Sequence, residues 1–292
     1  MGYFIVGCDI YPSIWHAVAK KCNIVYQVPL ATNSKKYVDL LLEICEKHMI
    51  KYVIPLTDVE VDVLNANRIL FAAKGIILCI QSTKCLNIAR NKYQTYLLFE
   101  NDLKVNVPKS ILLRDVKDDC FLPSIAKPIN GRSSEGLYYI HLKDDLKKMN
   151  EKDNYIIQEI LYGNVFTVDY IRDAKGNDFS IPREELLRTK NGAGTTVRIF
   201  TNKFLSDIVS YIGKKIGVVG CVNMEFIYSN NKYYLIDINP RFSAGIAFSC
   251  FVGYNMVINH INCFEGKCIA DTISYREQIV TKRYKEELLW IA

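Results

Sequence analysis

Residues 220–243 read GCVNMEFIYSNNKYYLIDINPRFS, and this stretch decides the fold of the second half of the chain. Apolar and polar residues alternate on both sides of Asn230-Asn231, two residues that tolerate the left-handed backbone of tight turns. The pattern predicts a hairpin of two antiparallel strands, Val222 to Tyr228 and Lys232 to Ile238. Side chains two residues apart on either strand therefore point to the same face.

Oxygen-bearing side chains occupy one face of this hairpin. Asp237 and Asn239 are two residues apart, and antiparallel pairing can bring Glu225 opposite them. Two carboxylates and an amide oxygen form a hard-oxygen site suited to Mg²⁺, and Arg241 could grip a phosphate with its planar guanidinium. The alternative is a solvated strand end followed by an ordinary Asn-Pro turn.

A loop of small residues follows a second strand. Ala126-Lys127-Pro128 ends the strand, and residues 131–136 read GRSSEG before the next strand begins. Such a loop lets backbone N–H groups approach phosphate oxygens, and Lys127 could add a positive charge beside them. The sequence is not G-x-x-x-x-G-K-[ST] and precedes a strand, which disfavours a P-loop. An exposed hairpin with a surface lysine is the alternative.

Residues 158–163, QEILYG, are an apolar strand that meets a turn. A hinge here could offer backbone groups to an adenine edge, and Glu159 could accept a hydrogen bond from the adenine amino group. Ordinary strand-to-turn sequence is the alternative.

The chain as a whole predicts an α/β unit followed by an α+β unit. Residues 1–88 alternate short apolar strands with helical patterns, which is typical of βαβ units and a parallel sheet. We expect strands at Phe4 to Cys8, Ile24 to Val28, Tyr52 to Leu56 and Ile76 to Ile80, helices at Lys36 to His48 and Val59 to Ala73, and a helix cap at Ser82. Beyond it, strands are expected at Ile125 to Lys127, Leu137 to Ile140, Tyr155 to Glu159, Val165 to Arg172 and Asp178 to Arg183, with a hairpin turn at Lys175-Gly176-Asn177 and a helix at Lys203 to Lys215.

Composition excludes several classes of protein. The 37 basic and 31 acidic residues give a formal charge of +6, and no Lys/Arg cluster resembles a nucleic-acid-binding face. No apolar run reaches the roughly 18 residues of a membrane span. The ten cysteines form no C-x-x-C pair, which favours reduced thiols in a cytoplasmic protein.

Taken in this order, the motifs resemble the ATP-grasp superfamily, above all the branch that contains the large subunit of carbamoyl-phosphate synthase and related carboxylate–amine or carboxylate–thiol ligases. Residues 220–226 and 234–243 are similar to the metal and phosphate segment of that family. Residues 52–60, YVIPLTDVE, resemble its N-terminal domain, and Asn91-Lys92-Tyr93 resembles the start of the grasp fold.

The resemblance implies a domain plan and a set of site residues. The N-terminal α/β domain would span residues 1–88, the two-lobed ATP-grasp domain 89–262 with a small lid lobe at about 109–158, and a tail packed on the body 263–292. Cofactors would be ATP and Mg²⁺, with Mn²⁺ as a substitute. Lys92 and Lys127 would contact the ATP phosphates, and Ser133, Ser134 and Gly136 would belong to the mobile loop over them. Glu159 and Leu161 would line the adenine pocket. Glu225, Asp237 and Asn239 would hold the metal, and Arg183 and Arg241 would steady an acyl phosphate.

The implied reaction is ADP-forming ligation of a small carboxylate to an amine or thiol. A substrate pocket is expected in residues 186–200, where Arg188 and Arg198 would suit an anionic substrate or be surface charges. Val165 stands where the family has a glutamate for the ribose, and Glu135 makes the loop acidic. These departures support an alternative, an ATP-binding regulatory or assembly module without turnover. A detached fragment of carbamoyl-phosphate synthase is a third reading.

The chain opens where family members already have one strand and one helix. We therefore expect either a truncated reading frame or a sheet that another chain completes, which allows a homodimer.

Overall fold

The structure is a computed structural model that describes residues 2–116, 121–131, 135–147, 149, 152–190 and 192–282. The described residues form two compact units that divide between Leu78 and Cys79. The functional residues expected from the sequence belong to the second unit.

The first unit has the predicted alternation of strands and helices. Its strands pair in parallel, β1 with β2 and β3 with β4, which confirms the α/β class of this region. Its elements are β1 (Val6–Asp9), 3-10 turns at Ser13–Trp15 and Ala17–Lys21, β2 (Ile24–Gln27), α1 (Ser34–Lys47), β3 (Tyr52–Val53), α2 (Asp58–Ala66), α3 (Arg68–Ala73) and β4 (Ile77–Leu78).

Two expectations for this unit were wrong in detail. The single helix from Val59 to Ala73 is two helices, because Asn67 leaves the helical conformation and its side-chain amide donates to Val63 O at 2.8 Å. The strand expected at Tyr52 to Leu56 has only two residues. Pro55 lacks the backbone N–H that a longer ladder requires.

The second unit begins with two capped helices and a small sheet. Ser82 accepts a hydrogen bond from Cys85 N, as predicted, and Asn91 caps α5 in the same way. The antiparallel sheet has the order β5-β8-β6-β7. Its elements are α4 (Thr83–Ala89), α5 (Lys92–Phe99), β5 (Ser110–Leu112), a 3-10 turn at Leu113–Asp115, β6 (Ser124–Pro128), β7 (Tyr138–Ile140), α6 (Lys143–Lys147), a 3-10 turn at Lys152–Asn154 and β8 (Tyr155–Glu159).

A six-stranded antiparallel sheet follows, with the order β13-β12-β9-β10-β11-β14. The apolar face of helix α7 packs against this sheet, and Leu205, Val209 and Ile212 are fully buried there. The elements are β9 (Asn164–Arg172), β10 (Asp178–Arg188), β11 (Gly194–Ile199), α7 (Lys203–Ile216), β12 (Gly220–Ser229), β13 (Lys232–Asn239), α8 (Ile246–Phe251), α9 (Met256–Phe264) and β14 (Gln278–Thr281).

Both predicted hairpins are present. Asn230 and Asn231 have φ values of 48° and 59°, and Gly176 has a φ of 101°, so each turn uses the left-handed conformation that the sequence indicated. Strand β10 extends five residues beyond the expected end at Arg183, to Arg188. That extension carries charged side chains that the site uses.

Residues on both sides of the expected domain pack with the second unit. The Gln81 side chain accepts from Val219 N and donates to Val219 O, which ties residues before the expected boundary at 88 to the large sheet. In the expected tail, β14 adds to the edge of the same sheet beside β11. Within the described residues, we find no helix of the length and apolarity that a membrane crossing demands.

Candidate active site

Both sheets of the second unit contribute to one cleft of about 440 Å³. The small sheet supplies Lys127, Gln158 and Glu159, and the large sheet supplies side chains from five of its strands. The large-sheet residues at this cleft are Thr167, Arg183, Glu185, Arg188, Gly194, Asn223, Glu225, Ile227, Ile236, Asp237 and Asn239.

The predicted metal ligands lie together on one face of the β12–β13 hairpin. Glu225 is directly opposite Asp237 in the strand register, and Asn223 is directly opposite Asn239. All four side chains line the cleft. Strand alternation explains why Asn223 shares a face with Glu225 on β12, and Asp237 with Asn239 on β13. The members of each of these pairs are two residues apart along their strand.

Hydrogen bonds connect the amides of this group to its charged members. The Asn239 amide nitrogen donates to Asn223 Oδ1 at 3.1 Å and to Glu225 Oε1 at 3.5 Å. Its oxygen accepts from Arg241 Nη2 at 3.3 Å, and Arg241 Nη1 donates to Phe242 O. To act as a metal ligand, Asn239 would turn its oxygen toward Glu225 by rotating the amide group.

The donor set fits a hard divalent cation. Burial raises the pKa of Glu225, the Arg188 guanidinium lowers it, and the nearby Asp237 carboxylate raises it again. Two adjacent carboxylates in a partly buried cleft attract positive charge, and oxygen ligands are those that Mg²⁺ prefers. No three His, Cys, Asp or Glu side chains gather as a metal cluster in the described part of the chain, so amide, water or phosphate oxygens would complete the coordination.

Both carboxylates are paired with cations. Glu225 Oε2 accepts from Arg188 Nη2 at 3.0 Å, and Asp237 Oδ1 accepts from Lys92 Nζ at 3.1 Å. The cationic side chains are only 27% and 12% exposed. Each of these two carboxylates is therefore balanced by one cationic side chain.

Lys92 and Lys127 lie close enough to influence each other. Lys92 begins α5 and also donates to Gly131 O at 3.0 Å. Burial lowers the pKa of Lys127 to about 8, helped by the positive charge of Lys92 and opposed by Asp237 and Glu225. An anion bound in the cleft would therefore stabilise the charged form of Lys127.

The expected nucleotide residues are only partly described. Glu159 and Leu161 line the cleft, and Glu159 Oε1 accepts from Lys109 N at 2.8 Å. Gly136 has a φ of 68° and lies between two cleft residues, Glu135 and Leu137. Ser133 and Ser134 lie outside the described residues.

Arg183 lines the cleft but is already surrounded by partners. It donates to Asp169 Oδ2 at 2.5 Å, to Glu185 Oε1 at 3.1 Å and to Ser243 Oγ at 3.0 Å. Burial acts to lower the pKa of Arg183, but the carboxylates of Asp169 and Glu185 together raise it. Its contact with an acyl phosphate stays a prediction.

Sequence reasoning missed three residues of the cleft floor, Asn223, Thr167 and Glu185. Asn223 could have been found, because it precedes Glu225 by two residues on the same strand. Of the two arginines expected in a substrate pocket, Arg188 lines the cleft. Arg198 instead pairs with Glu184 and Glu277.

Comparison with known proteins gives two family matches. The family described as the ATP-grasp domain matches residues 89–245, just over half of the chain. The family described as the PylC-like N-terminal domain matches residues 12–79.

Individual relatives cover different shares of the chain. The carbamoyl phosphate synthase large chain of Lachnoclostridium phytofermentans is 27% identical over an alignment of 143 residues, and the match covers 43% of this chain and only 13% of that protein. The biotin carboxylase of Campylobacter jejuni, solved as a βγ-ATP complex, has a TM-score of 0.74 and 16% identity over 94% of this chain and 68% of its own. The biotin carboxylase domain of the Hydrogenobacter thermophilus 2-oxoglutarate carboxylase, solved with MgADP and bicarbonate, has a TM-score of 0.73 and 17% identity over 91% of this chain and 65% of its own.

The solved structures share the fold of this chain. The match to a carbamoyl phosphate synthase agrees with the family resemblance that residues 220–243 indicated. The hairpin with Glu225 and Asp237, the small sheet with Lys127 and the cleft that both sheets line fall largely inside the matched segment. The chain belongs to the ATP-grasp family.

Proposed function

We propose that this protein is an ATP- and Mg²⁺-dependent ligase that activates a small carboxylate as an acyl phosphate and joins it to a nucleophile, releasing ADP and phosphate. The carrying observation is the pairing of Glu225 with Asp237 in a cleft whose other wall holds Lys127. This arrangement supports the proposal, because phosphoryl transfer requires a bound cation and an independent positive charge around a single space.

Each side chain then has a role in holding the nucleotide. Glu225, Asp237 and the Asn239 oxygen would hold magnesium, which when bound supplies positive charge that neutralises the phosphate oxygens. Lys92 and Lys127 would contact the phosphates, and Arg241 would grip the transferred group. Glu159 and Leu161 would border the adenine, and the loop that contains Ser133, Ser134 and Gly136 would cover the phosphates.

The remaining charged residues would serve the carboxylate and its activated form. Arg183 is fixed by two carboxylates, so it can present a rigid guanidinium edge to the cleft without a loss of side-chain entropy. A lobe built from residues 109–158 would close over the reactive acyl phosphate and exclude water.

The solved relatives support the choice of nucleotide and metal. One was solved as a βγ-ATP complex and another with MgADP and bicarbonate. At sequence identities of 16% and 17%, they do not identify the carboxylate or the nucleophile of this chain, which are proposed from the chemistry of the cleft.

The test is ADP release by the purified chain with MgATP and a panel of small carboxylates, with hydroxylamine as the nucleophile. Hydroxylamine converts an acyl phosphate to a hydroxamate, which is detected directly. Hydroxamate formation that depends on ATP, magnesium and one carboxylate would support the proposal. Thermal stabilisation by ATP without ADP or hydroxamate across the panel would instead support an ATP-binding regulatory or assembly module.

A further inference from the structure

Glu185 is a buried carboxylate of the cleft that the roles above leave unused. It lies on β10 between Arg183 and Arg188, its side chain is 3% exposed, and it lines the cleft. Glutamate is rarely buried to this degree unless both oxygens have hydrogen-bond donors.

The two oxygens of Glu185 differ. Oε1 accepts from Arg183 Nε at 3.1 Å. Oε2 is shielded from solvent and meets no hydrogen-bond donor among the residues that the structure describes. A buried carboxylate oxygen without a donor is unfavourable, so a donor supplied by a substrate would relieve that cost.

Because Gly194 has no side chain, Glu185 Oε2 has room beside it. A β-carbon at this position of β11 would overlap Glu185 Oε2. The glycine turn Gly192-Ala193-Gly194 also lines the cleft. The carboxylate oxygen therefore packs against backbone without side chains, beside a glycine turn that lines the cleft.

The charge around Glu185 favours a cation. Arg183 is shared between Asp169 and Glu185, so one guanidinium faces two carboxylates. The other partners of these carboxylates, Ser249 and Asn223, are neutral. Arg188 is paired with Glu225 and with Gly192 O, so its charge is balanced elsewhere. Arg183, Asp169 and Glu185 together therefore carry a net charge of −1.

We propose that Glu185 Oε2 binds the protonated amino group of the nucleophilic substrate and accepts one of its protons, which leaves a neutral amine to attack the acyl phosphate and release phosphate. The nucleophile is therefore an amine and not a thiol. This inference rests on the proposed ligase function. An ammonium group offers both the missing hydrogen-bond donor and the missing positive charge. A thiol is a weak donor, and its reactive thiolate form would be repelled by the same carboxylate.

The experiment separates binding of the amine from formation of the acyl phosphate. The carboxylate identified with hydroxylamine is held at saturation, and ADP release is measured against ammonia, methylamine, putrescine, lysine and 2-mercaptoethanol. For Glu185→Gln we expect the KM for the preferred amine to rise at least tenfold, with the KM for ATP unchanged. Hydroxamate formation should fall by a much smaller factor than amine-dependent turnover, because hydroxylamine is uncharged at neutral pH and does not need the carboxylate as a partner.

The neighbouring Glu184→Gln is the matched control. Glu184 is equally buried but points to the other face of β10, where it accepts from Asn164 and Arg198. This variant should leave the KM for the amine within twofold. Thermal denaturation of each variant checks the fold, and if Glu185→Gln is unfolded, Glu185→Asp keeps the charge but shortens its reach and should raise the KM for the amine by a smaller factor.

Three results would overturn the inference. The first is an amine KM within twofold of wild type in folded Glu185→Gln. The second is a parallel loss of amine-dependent and hydroxylamine-dependent turnover, since that result assigns Glu185 only to the support of Arg183. The third is a wild-type preference for 2-mercaptoethanol over every amine. Absence of hydroxamate in the wild type would count against the proposed function itself.

Discussion

Glu225 and Asp237 lie directly opposite each other on two antiparallel strands, at the last pair before the register shifts at Ile236. After this pair, Phe226 is opposite Leu235, so Ile236 is an extra residue of β13. The bulge allows Leu235 and Ile238 to be buried while Ile236 and Asp237 line the cleft. The carboxylate pair therefore depends on an irregularity of the sheet.

The Asp237→Ala variant tests the cation site. Removing one of two carboxylates should lower magnesium-dependent turnover at least about 100-fold, because a bound cation contributes several kcal/mol to phosphoryl transfer. The fold should stay intact, since Asp237 is 23% exposed and lies in the cleft. Turnover is measured as ADP release over a magnesium titration.

Asp207→Ala is the control for this variant. Asp207 is an exposed carboxylate on α7 that pairs with Lys203. Its removal should leave turnover and the magnesium requirement unchanged. Turnover of Asp237→Ala within a few-fold of wild type would show that the metal assignment is wrong.

The lowered pKa of Lys127 predicts that ATP binding weakens as the pH rises. Its pKa of about 8 in the free protein means that the ammonium is lost between pH 7 and pH 9, whereas phosphates favour the charged form. If the bound state keeps the proton, the Kd for ATP should increase about tenfold between pH 7 and pH 9. At pH 8, binding should also take up a fraction of a proton, which calorimetry in buffers of different ionisation enthalpy detects.

The Lys127→Arg variant separates this effect from other titrations. Arginine stays charged across the whole range, so the rise in Kd should disappear. An equal rise in both proteins would assign the pH dependence to another group.

The lowered pKa of His260 predicts that the protein loses stability in acid. Its Nδ1 accepts from Cys221 N at 2.8 Å, and burial lowers its pKa to about 4 from an ordinary 6.5. The unfolded chain then binds more protons than the folded protein, so the stabilisation is complete above pH 6.5 and is lost as the pH falls toward 4. Because one pKa unit corresponds to about 1.4 kcal/mol, the loss attributable to His260 should be roughly 3 kcal/mol.

Urea denaturation at pH 7 and pH 4.5 measures this loss. His260→Gln should be less stable at pH 7 but should lose less free energy of unfolding between the two pH values than wild type. His141→Gln, a change at an exposed histidine, should keep the wild-type pH dependence. A pH dependence that is the same in all three proteins would contradict the assignment.

Gly213→Ala should destabilise the protein, although alanine normally favours a helix. Helix propensity alone would stabilise α7 by about 1 kcal/mol. A β-carbon at Gly213, however, would overlap the ring of the buried Tyr170, and overpacking of a rigid core costs about 1–3 kcal/mol. We therefore expect a net loss of free energy of unfolding, measured by urea denaturation.

The neighbouring Lys214→Ala introduces the same residue at an exposed position of α7. Its effect should stay within about 0.5 kcal/mol. A gain in stability for Gly213→Ala would mean that helix and sheet are less closely packed at this point than the structure indicates.

Local sequence patterns predicted most elements of the second unit and the placement of the carboxylates. Alternation within each strand specifies that Asn223 shares a face with Glu225, and Asp237 with Asn239, but the extra residue Ile236 is what brings both pairs to the same face. Patterns were less successful at the ends of elements, as at Asn67, which divides a helix, or at Arg183, beyond which β10 continues to Arg188. There, local hydrogen bonds and partners across the sheet outweigh periodicity.

The sequence by itself determined the hairpin and the resemblance that led to the family, because strand periodicity and turn chemistry are local properties. Only the tertiary structure decided that Lys92 meets Asp237 across 145 residues of chain, and that Glu185 shares Arg183 with Asp169 while one of its oxygens stays without a described donor. Such contacts depend on which strands become neighbours and where a bulge shifts the register. Both depend on packing between distant segments, which no local pattern encodes.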